Sequence, residues 1–339
     1  MSAFKLEATM IEEKEAVSVP APRCRDRLPP LGRLAFVLCG LKLFGRIRGR
    51  KLSNMIKTAL ENNVFLVDVA DARKDFEHFH LWWLGQSGFL LHWQGKHLLL
   101  DPYLSDSLTK KYAATDKPHV RMTGRVVAPE RLNFIDVVTS SHSHTDHLDP
   151  ETLVPLLRAN PKIDLVIPES NREFVVDRLK IPAELPRGLD AGQFTTTAGF
   201  KIHAVPAAHE QLDQDENGRH KFLGYVVEFG GGCVYHSGDT VLYDGMVEWL
   251  RRWPIDVALL PINGRAPERR VAGNLWGREA AQLAKAIGAR TVIPCHYEMF
   301  EFNTATPDEF VAECQHLEQP YRVLRAGERW SSAELLHRA

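Results

Sequence analysis

The sequence has few cysteines, and they do not pair. Five cysteines are scattered among 339 residues, and no two of them form a CxxC pair. An odd and dispersed set of this kind excludes a disulfide framework and indicates reduced thiols, as in a cytoplasmic protein.

A long apolar segment is also missing. The run of eight residues at 34–41 is interrupted by Lys42, whereas a membrane-spanning helix needs roughly 20 apolar residues. Basic residues follow this run, where a secretory signal would have a small-residue cleavage site. We therefore expect a cytoplasmic location.

The net charge is only −1, so no global field attracts nucleic acid, and we expect no nucleic-acid partner. A local excess does occur at 23–51, where nine Lys and Arg accompany one acid, Asp26. Two interpretations stay open for this apolar and basic stretch. It packs as an amphipathic helix on the domain or at a contact between subunits of a homo-oligomer, or residues 31–51 contact a membrane surface.

The pattern of elements divides the chain in two. Residues 1–75 are predicted as an N-terminal extension, with a proline-rich tail and the basic apolar segment. Residues 76–335 are predicted as one α/β domain, because strand-like runs linked by hairpins give way to alternating strands and helices. The expected fold is two mixed sheets between outer helices. The predicted strands are 80–85, 88–93, 96–101, 135–139, 164–167, 201–205, 224–229, 233–236, 256–260 and 290–293, and the predicted helices are 150–159, 171–180, 244–252, 275–288 and 307–318.

Histidine is abundant, with fifteen residues, and three of them are clustered. His142, His144 and His147 occur with Asp146 in a six-residue stretch that directly follows the predicted strand 135–139. Imidazole and carboxylate groups are ligands of Zn²⁺, Mn²⁺ or Fe²⁺. Four hydrated side chains so close together at a strand end are costly to desolvate without a cation. The motif therefore predicts a metal site.

Three further candidate ligands each follow a predicted strand: His209, Asp239 and His296. The order H-x-H-x-D-H, His, Gly-Asp, His resembles the metallo-β-lactamase superfamily over roughly residues 79–330. The segments 81–88, 235–240, 260–264 and 293–300 resemble more narrowly the UlaG-like branch, which contains the L-ascorbate-6-phosphate lactonase. That resemblance implies a four-layered αββα sandwich.

The resemblance also implies a ligand set for two divalent ions, with zinc the first expectation and manganese or iron the alternatives. The first site has His142, His144 and His209, the second has Asp146, His147 and His296, and Asp239 bridges both. The chemistry implied is hydrolysis by a hydroxide shared between the two ions. Asp146 is also predicted as the catalytic proton acceptor.

Substrate contacts are expected after the predicted strand 256–260. Asn263 and Arg265 lie there, Arg269, Arg270 and Asn274 follow, and Tyr297 adjoins a ligand. An arginine cluster suits a phosphate or carboxylate, while a solvated loop and a structural phenol are the other interpretations. His92, His97, His203, His236, Cys295 and His337 are predicted to be structural.

The function predicted first is hydrolysis of a small anionic metabolite: a lactone, an ester or a phosphoester, with a sugar-phosphate lactone implied by resemblance. A second interpretation is a phosphodiesterase at a membrane surface, like the phospholipase D that cleaves N-acyl-phosphatidylethanolamine. The third is a binding or redox protein that uses metals for sensing, structure or O₂ chemistry.

Overall fold

The structure of the protein, a computed structural model, describes residues 55–335. These residues belong to one compact unit. Most of the predicted extension, including the segment 31–51, and His337 lie outside the described residues. None of the described helices is long and apolar enough to cross a membrane.

Thirteen strands in the described residues form two mixed sheets. They are β1 (His80–Gly85), β2 (Gly88–Trp93), β3 (Lys96–Leu100), β4 (Val137–Thr139), β5 (Asp164–Pro168), β6 (Pro186–Leu189), β7 (Phe194–Thr197), β8 (Phe200–Pro206), β9 (Leu223–Phe229), β10 (Gly232–His236), β11 (Val257–Pro261), β12 (Thr291–Cys295) and β13 (Arg329–Ser331). The first sheet has the order β13-β1-β2-β3-β4-β5-β6, and the second has the order β12-β11-β10-β9-β8-β7. Strands β3 to β6 pair in parallel, as do β10, β11 and β12, and the other pairs are antiparallel.

Seven α-helices accompany the sheets in this part of the chain. They are α1 (Asn62–Ala72), α2 (Ser107–Tyr112), α3 (Pro150–Ala159), α4 (Arg172–Leu179), α5 (Met246–Leu250), α6 (Gly277–Ala286) and α7 (Asp308–His316). Residues of both sheets and of the helices share one hydrophobic cluster. The predicted fold, two mixed sheets flanked by helices, is confirmed.

Helix α3 begins as its sequence predicts. Asp149 is the N-cap, its side chain accepts a hydrogen bond from the Glu151 amide, and Pro150 occupies the first helical position. Because α3 begins directly after the loop 140–149, it fixes the orientation of the segment with the clustered histidines.

Helix α1 lies in the segment that the division at residue 76 assigns to the extension. Phe65 and Val69 on this helix are fully buried in the hydrophobic cluster, and Trp82 of β1 donates a hydrogen bond to Asp68 at 2.8 Å. The packed part of the described chain therefore begins before residue 76 and includes α1.

Three histidines stand side by side on adjacent strands of the first sheet. His80 pairs across β1 and β2 with His92, which pairs across β2 and β3 with His97. The His92 and His97 rings lie 4.8 Å apart, and both side chains are buried. Burial and the neighbouring His80 lower the pKa of His92 to about 4, and burial and His92 lower the pKa of His97 to about 2. His92 and His97 are thus structural, as predicted.

We expect these histidines to make stability depend on pH. The unfolded chain binds a proton at His97 below its ordinary pKa of 6.5, whereas the folded protein does so only near 2. Stability is therefore lost as the pH falls below about 6.5, by about 2 kcal/mol between pH 7 and pH 5 for His97. Urea unfolding of the metal-free protein at these two pH values measures the loss. His97→Leu removes the titrating group and should shrink the difference by that amount, and an unchanged difference would contradict the assignment.

Candidate metal centre

Four strand ends from the two sheets supply the clustered side chains. The loop after β4 contains His142, His144, Asp146 and His147. His209 follows β8, Asp239 follows β10 and His296 follows β12. The structure therefore brings together all seven residues that the sequence predicts as ligands.

Gly238 allows the loop with Asp239 to lie close to the loop with the clustered histidines. Its φ is +60°, and a Cβ at this position would lie 2.6 Å from the Cβ of Ser141. A side chain here would therefore push the loop with Asp239 away from the loop with the histidines.

The seven side chains form two groups in space. His142, His144 and His209 form one, and Asp146, His147, Asp239 and His296 form the other. Within each group the ligand atoms lie within 4.8 Å of one another. This spacing allows each group to surround a single cation.

The Asp239 carboxylate connects the two groups. Its Oδ2 atom lies 3.5 Å from Nε2 of His209 and 3.3 Å from Nε2 of His296. Its Oδ1 atom lies 3.3 Å from Nε2 of His147. One carboxylate thus reaches histidines of both groups.

The ring nitrogens that point away from the centre are held by hydrogen bonds. Nδ1 of His147 donates to Asp101 at 2.7 Å, and Nδ1 of His209 donates to the Gly273 carbonyl at 2.9 Å. Nδ1 of His142 lies 3.0 Å from the Ser141 hydroxyl. The Nε2 atoms of His142 and His147 are buried without a hydrogen-bond partner. A bound metal ion would accept the lone pairs of these unpartnered nitrogens. The site therefore fits divalent ions.

The charges at the site also favour a cation. Asp101 and Asp239 are buried, and Asp146 is only partly exposed. Among the described residues, no Lys or Arg forms an ion pair with these carboxylates, and their close partners are histidines. Buried carboxylates without a cation are costly.

The protonation of the first group suits metal binding. Burial, together with His147 and His144, lowers the pKa of His142 well below its ordinary value. His144 keeps part of its side chain exposed, but its ring packs against His142 and His209, and this loss of water together with the neighbouring His209 lowers its pKa to about 4. These imidazoles are therefore neutral at pH 7, which is the form that ligates metals.

The carboxylates of the second group are ionised. Burial alone would raise the pKa of Asp146, but His147 and His296 hold it well below its usual range. The same two histidines outweigh burial at Asp239 and lower its pKa strongly. Both carboxylates of this group are therefore in the anionic form that ligates metals.

Two residues that the sequence analysis did not single out hold the ligands in place. Asp101, at the end of β3, accepts hydrogen bonds from His147 and from the backbone amide and hydroxyl of Ser141. Gln86, in the turn between β1 and β2, donates to Asp146 Oδ2 at 2.8 Å and lies 2.9 Å from Nε2 of His296. The signal for Asp101 was present, since it is a carboxylate at the end of a predicted strand.

The contacts of Asp101 predict a role in positioning His147. We expect Asp101→Asn to weaken metal binding about 10- to 100-fold, because the amide cannot accept every hydrogen bond of the carboxylate. Competition with a chromophoric chelator measures the affinity. Asp136→Asn is the matched control, because this carboxylate directly precedes β4 and binds Lys96 instead of a candidate ligand. Equal affinities in the two variants would contradict the role of Asp101.

Of the residues predicted for substrate binding, Arg270 lines the cavity over the metal cluster, whereas Asn263, Arg265 and Tyr297 do not. Arg265 makes two hydrogen bonds to Glu279, at 2.7 and 2.8 Å. The Tyr297 hydroxyl donates to the Leu324 carbonyl, and its ring stacks on Trp83. Asn263 is buried among amide side chains. Ion pairing and burial thus give these side chains other partners.

The residues predicted to be structural are buried or bonded to other parts of the protein. His236 is buried with Nε2 bonded to the Ser87 carbonyl at 2.8 Å, and Cys295 is buried as a free thiol. His203 lies 2.6 Å from the Glu228 carboxylate. These predictions are confirmed.

A cavity of about 530 Å³ opens over the cluster. His144, Asp146, His209, Asp239 and His296 lie in its wall. Lys111, Lys117, Arg178 and Arg270 also line it, so the cavity combines the candidate ligands with basic side chains.

Comparison with known proteins agrees with this geometry. A family described as "Beta-lactamase superfamily domain" matches residues 96–297. The chain is 31% identical to a UPF0173 metal-dependent hydrolase of Methanoregula boonei, over 68% of this chain and 87% of the relative. It is 29% identical to a UPF0173 metal-dependent hydrolase of Rubrobacter xylanophilus, over 74% of this chain and 95% of the relative.

The fold has solved counterparts. Igni18, a metallo hydrolase from Ignicoccus hospitalis, superposes with a TM-score of 0.55 at 23% identity, covering 75% of this chain and 98% of Igni18. The family match spans more than half of the sequence. The chain therefore belongs to the β-lactamase superfamily, among its metal-dependent hydrolases.

Proposed function

We propose that the protein is a binuclear metal-dependent hydrolase of a small anionic metabolite with a lactone, ester or phosphoester bond. The observation that carries the proposal is the position of Asp239, whose two carboxylate oxygens reach histidines of both groups. A carboxylate in this position can be a ligand of both ions of a two-metal site. The sugar-phosphate lactone of the UlaG-like branch is the specific substrate class that the sequence motifs favour.

The seven candidate ligands would be distributed between two ions. His142, His144 and His209 would hold one ion, Asp146, His147 and His296 the other, and Asp239 both. When bound, two divalent ions supply a nucleophile at neutral pH and stabilise negative charge on the attacked and leaving oxygens. Zinc is the expected metal, and manganese or iron suits the same nitrogen and oxygen ligands.

Asp146 is proposed to accept the proton that the nucleophile releases. Gln86 holds its Oδ2 atom, and Oδ1 makes no hydrogen bond to the described residues. Asp146 also lines the cavity. The free oxygen is therefore positioned to take a proton from a group in the cavity.

A hydrolysis screen tests the proposal. Metal-free protein is supplied with Zn²⁺ or Mn²⁺ and assayed on a panel of lactones, esters and phosphodiesters. We expect turnover of at least one class, abolished by a chelator and restored by the metal. No metal-dependent cleavage of any member, or a mononuclear iron site with oxygen uptake, would contradict hydrolysis.

The membrane phosphodiesterase is the competing proposal. It rests on residues 31–51, which lie outside the described residues, and on the order of ligands, which the two interpretations share. Liposome sedimentation of the full-length protein and of a variant without residues 1–51 separates them. Loss of binding on truncation supports the membrane enzyme, and no binding by either protein excludes it.

A further inference from the structure

Three cations that line the cavity over the metal cluster, Lys111, Lys117 and Arg178, have no carboxylate partner among the described residues. Lys111 lies on α2 and Arg178 on α4, and neither forms an ion pair in the described part of the chain. Other basic residues nearby are engaged. Lys110 binds Glu151, and Arg270 binds Asp116. Lys117 donates to the Arg270 carbonyl. Lys111 and Arg178 are therefore the two cations without a carboxylate partner that meet at one side chain of this cavity.

The same hydroxyl group holds both cations. Nζ of Lys111 lies 3.2 Å from Oγ1 of Thr145, and an Nη2 atom of Arg178 donates to that oxygen at 2.8 Å. Thr145 is buried and stands between the candidate ligands His144 and Asp146 in sequence. The two positive groups thus converge beside the metal cluster.

Arg178 is incompletely paired although it is partly buried. Its Nε atom is buried without a hydrogen-bond partner, and its guanidinium lies 5.4 Å from the centre of the Phe174 ring. A neutral hydroxyl and an aromatic face offset only part of the cost of removing this charge from water. An anion next to Lys111 and Arg178 would offset the rest.

We propose that Lys111 and Arg178 form an oxyanion subsite, which binds the phosphate or carboxylate group of the substrate while the scissile bond lies over the metal cluster. This inference rests on the proposed function and assigns its specificity to two residues. Phe174 and Tyr112 also line the cavity, and their rings provide an apolar wall beside the charged group.

A pair of esters tests the subsite. Mono-4-nitrophenyl glutarate carries a free carboxylate, and 4-nitrophenyl acetate is neutral. We expect the wild-type protein to prefer the anionic ester in kcat/KM. Lys111→Met and Arg178→Met should each lower kcat/KM for the anionic ester about 10- to 100-fold, and the neutral ester should change by less than about twofold. Arg178→Lys, which keeps the charge, should retain part of the preference.

The neighbouring Lys110→Met is the matched control, because Lys110 is paired with Glu151 and does not line the cavity. It should leave both esters unchanged. Equal losses on the two esters in the Lys111 and Arg178 variants, or no preference in the wild-type protein, would overturn the subsite without touching the hydrolase assignment.

A binding measurement keeps the two proposals separate. Inorganic phosphate and acetate are titrated into metal-free protein, and the melting temperature is followed. We expect stabilisation of the wild-type protein and of Lys110→Met but not of Lys111→Met or Arg178→Met, with the more effective anion identifying phosphate or carboxylate. An identical response in all four proteins overturns the subsite, whereas an absence of metal-dependent turnover overturns only the proposed function.

Discussion

Replacing Asp239 by alanine is expected to lower kcat/KM by on the order of 1,000-fold or more. Its carboxylate reaches His209 of one group and His147 and His296 of the other. Without it each of the two proposed ions would lose a ligand, and the proposed two-metal catalysis would lose several kcal/mol of charge stabilisation, which is worth about a factor of ten for each 1.4 kcal/mol. Metal analysis of the same variant should show less than two ions per chain.

Asp244→Ala is a suitable control for this change. Asp244 lies in the loop that also follows β10 but does not line the cavity over the cluster. The control should bind metal and hydrolyse substrate as the wild-type protein does. Near-normal turnover by Asp239→Ala with two bound ions would show that this carboxylate does not bridge the site.

The second large effect is expected from His144→Ala. His144 is the exposed member of its group, unlike His142 and His209, which are buried. Its removal should therefore leave the free energy of unfolding of the metal-free protein within about 0.5 kcal/mol of the wild-type value. Activity should nevertheless fall by on the order of 1,000-fold, because one ion loses a ligand.

The stability measurement separates a role in the site from a role in the fold. His316→Ala, at an exposed histidine on α7, is the matched control and should change neither activity nor stability. Urea unfolding and steady-state kinetics on the same preparations provide both numbers. Retained turnover in His144→Ala would refute the assigned first group.

The sequence predicted which side chains the fold brings together in the cluster, because these residues lie close together in the sequence or follow the end of a strand. His142, His144, Asp146 and His147 lie within six consecutive positions after one strand, and each other candidate follows a strand end. Asp101 follows the same rule. It was missed because a single carboxylate after a strand is not distinctive without the contact to His147.

The substrate contacts could not be predicted in the same way. Arg265 has the right chemistry and lies after a strand, but its guanidinium pairs with Glu279, fourteen positions along the chain. Lys111 and Arg178 come from two helices far apart in sequence and meet only at Thr145. Which cations are free to bind an anion is decided by tertiary pairing, which one sequence does not reveal.

The strands and the helix that the sequence patterns did not predict were missed for a different reason. Strand β7 reads Phe-Thr-Thr-Thr and is only partly buried, and β6 contains Pro186 and Gly188, so neither shows an apolar alternation. Helix α1 has no side-chain cap, and its helical character depends on packing of Phe65 and Val69 against the core. In these segments, tertiary contacts determine the secondary structure more than the local sequence pattern does.

The most direct test of the two-metal account is a titration of metal-free protein with Zn²⁺ or Mn²⁺, following bound metal and hydrolysis of a substrate found in the screen. We predict that binding saturates at two equivalents per chain and that full activity requires the second ion. Saturation at a single equivalent with full activity, or hydrolysis that persists in the metal-free protein, would contradict the account.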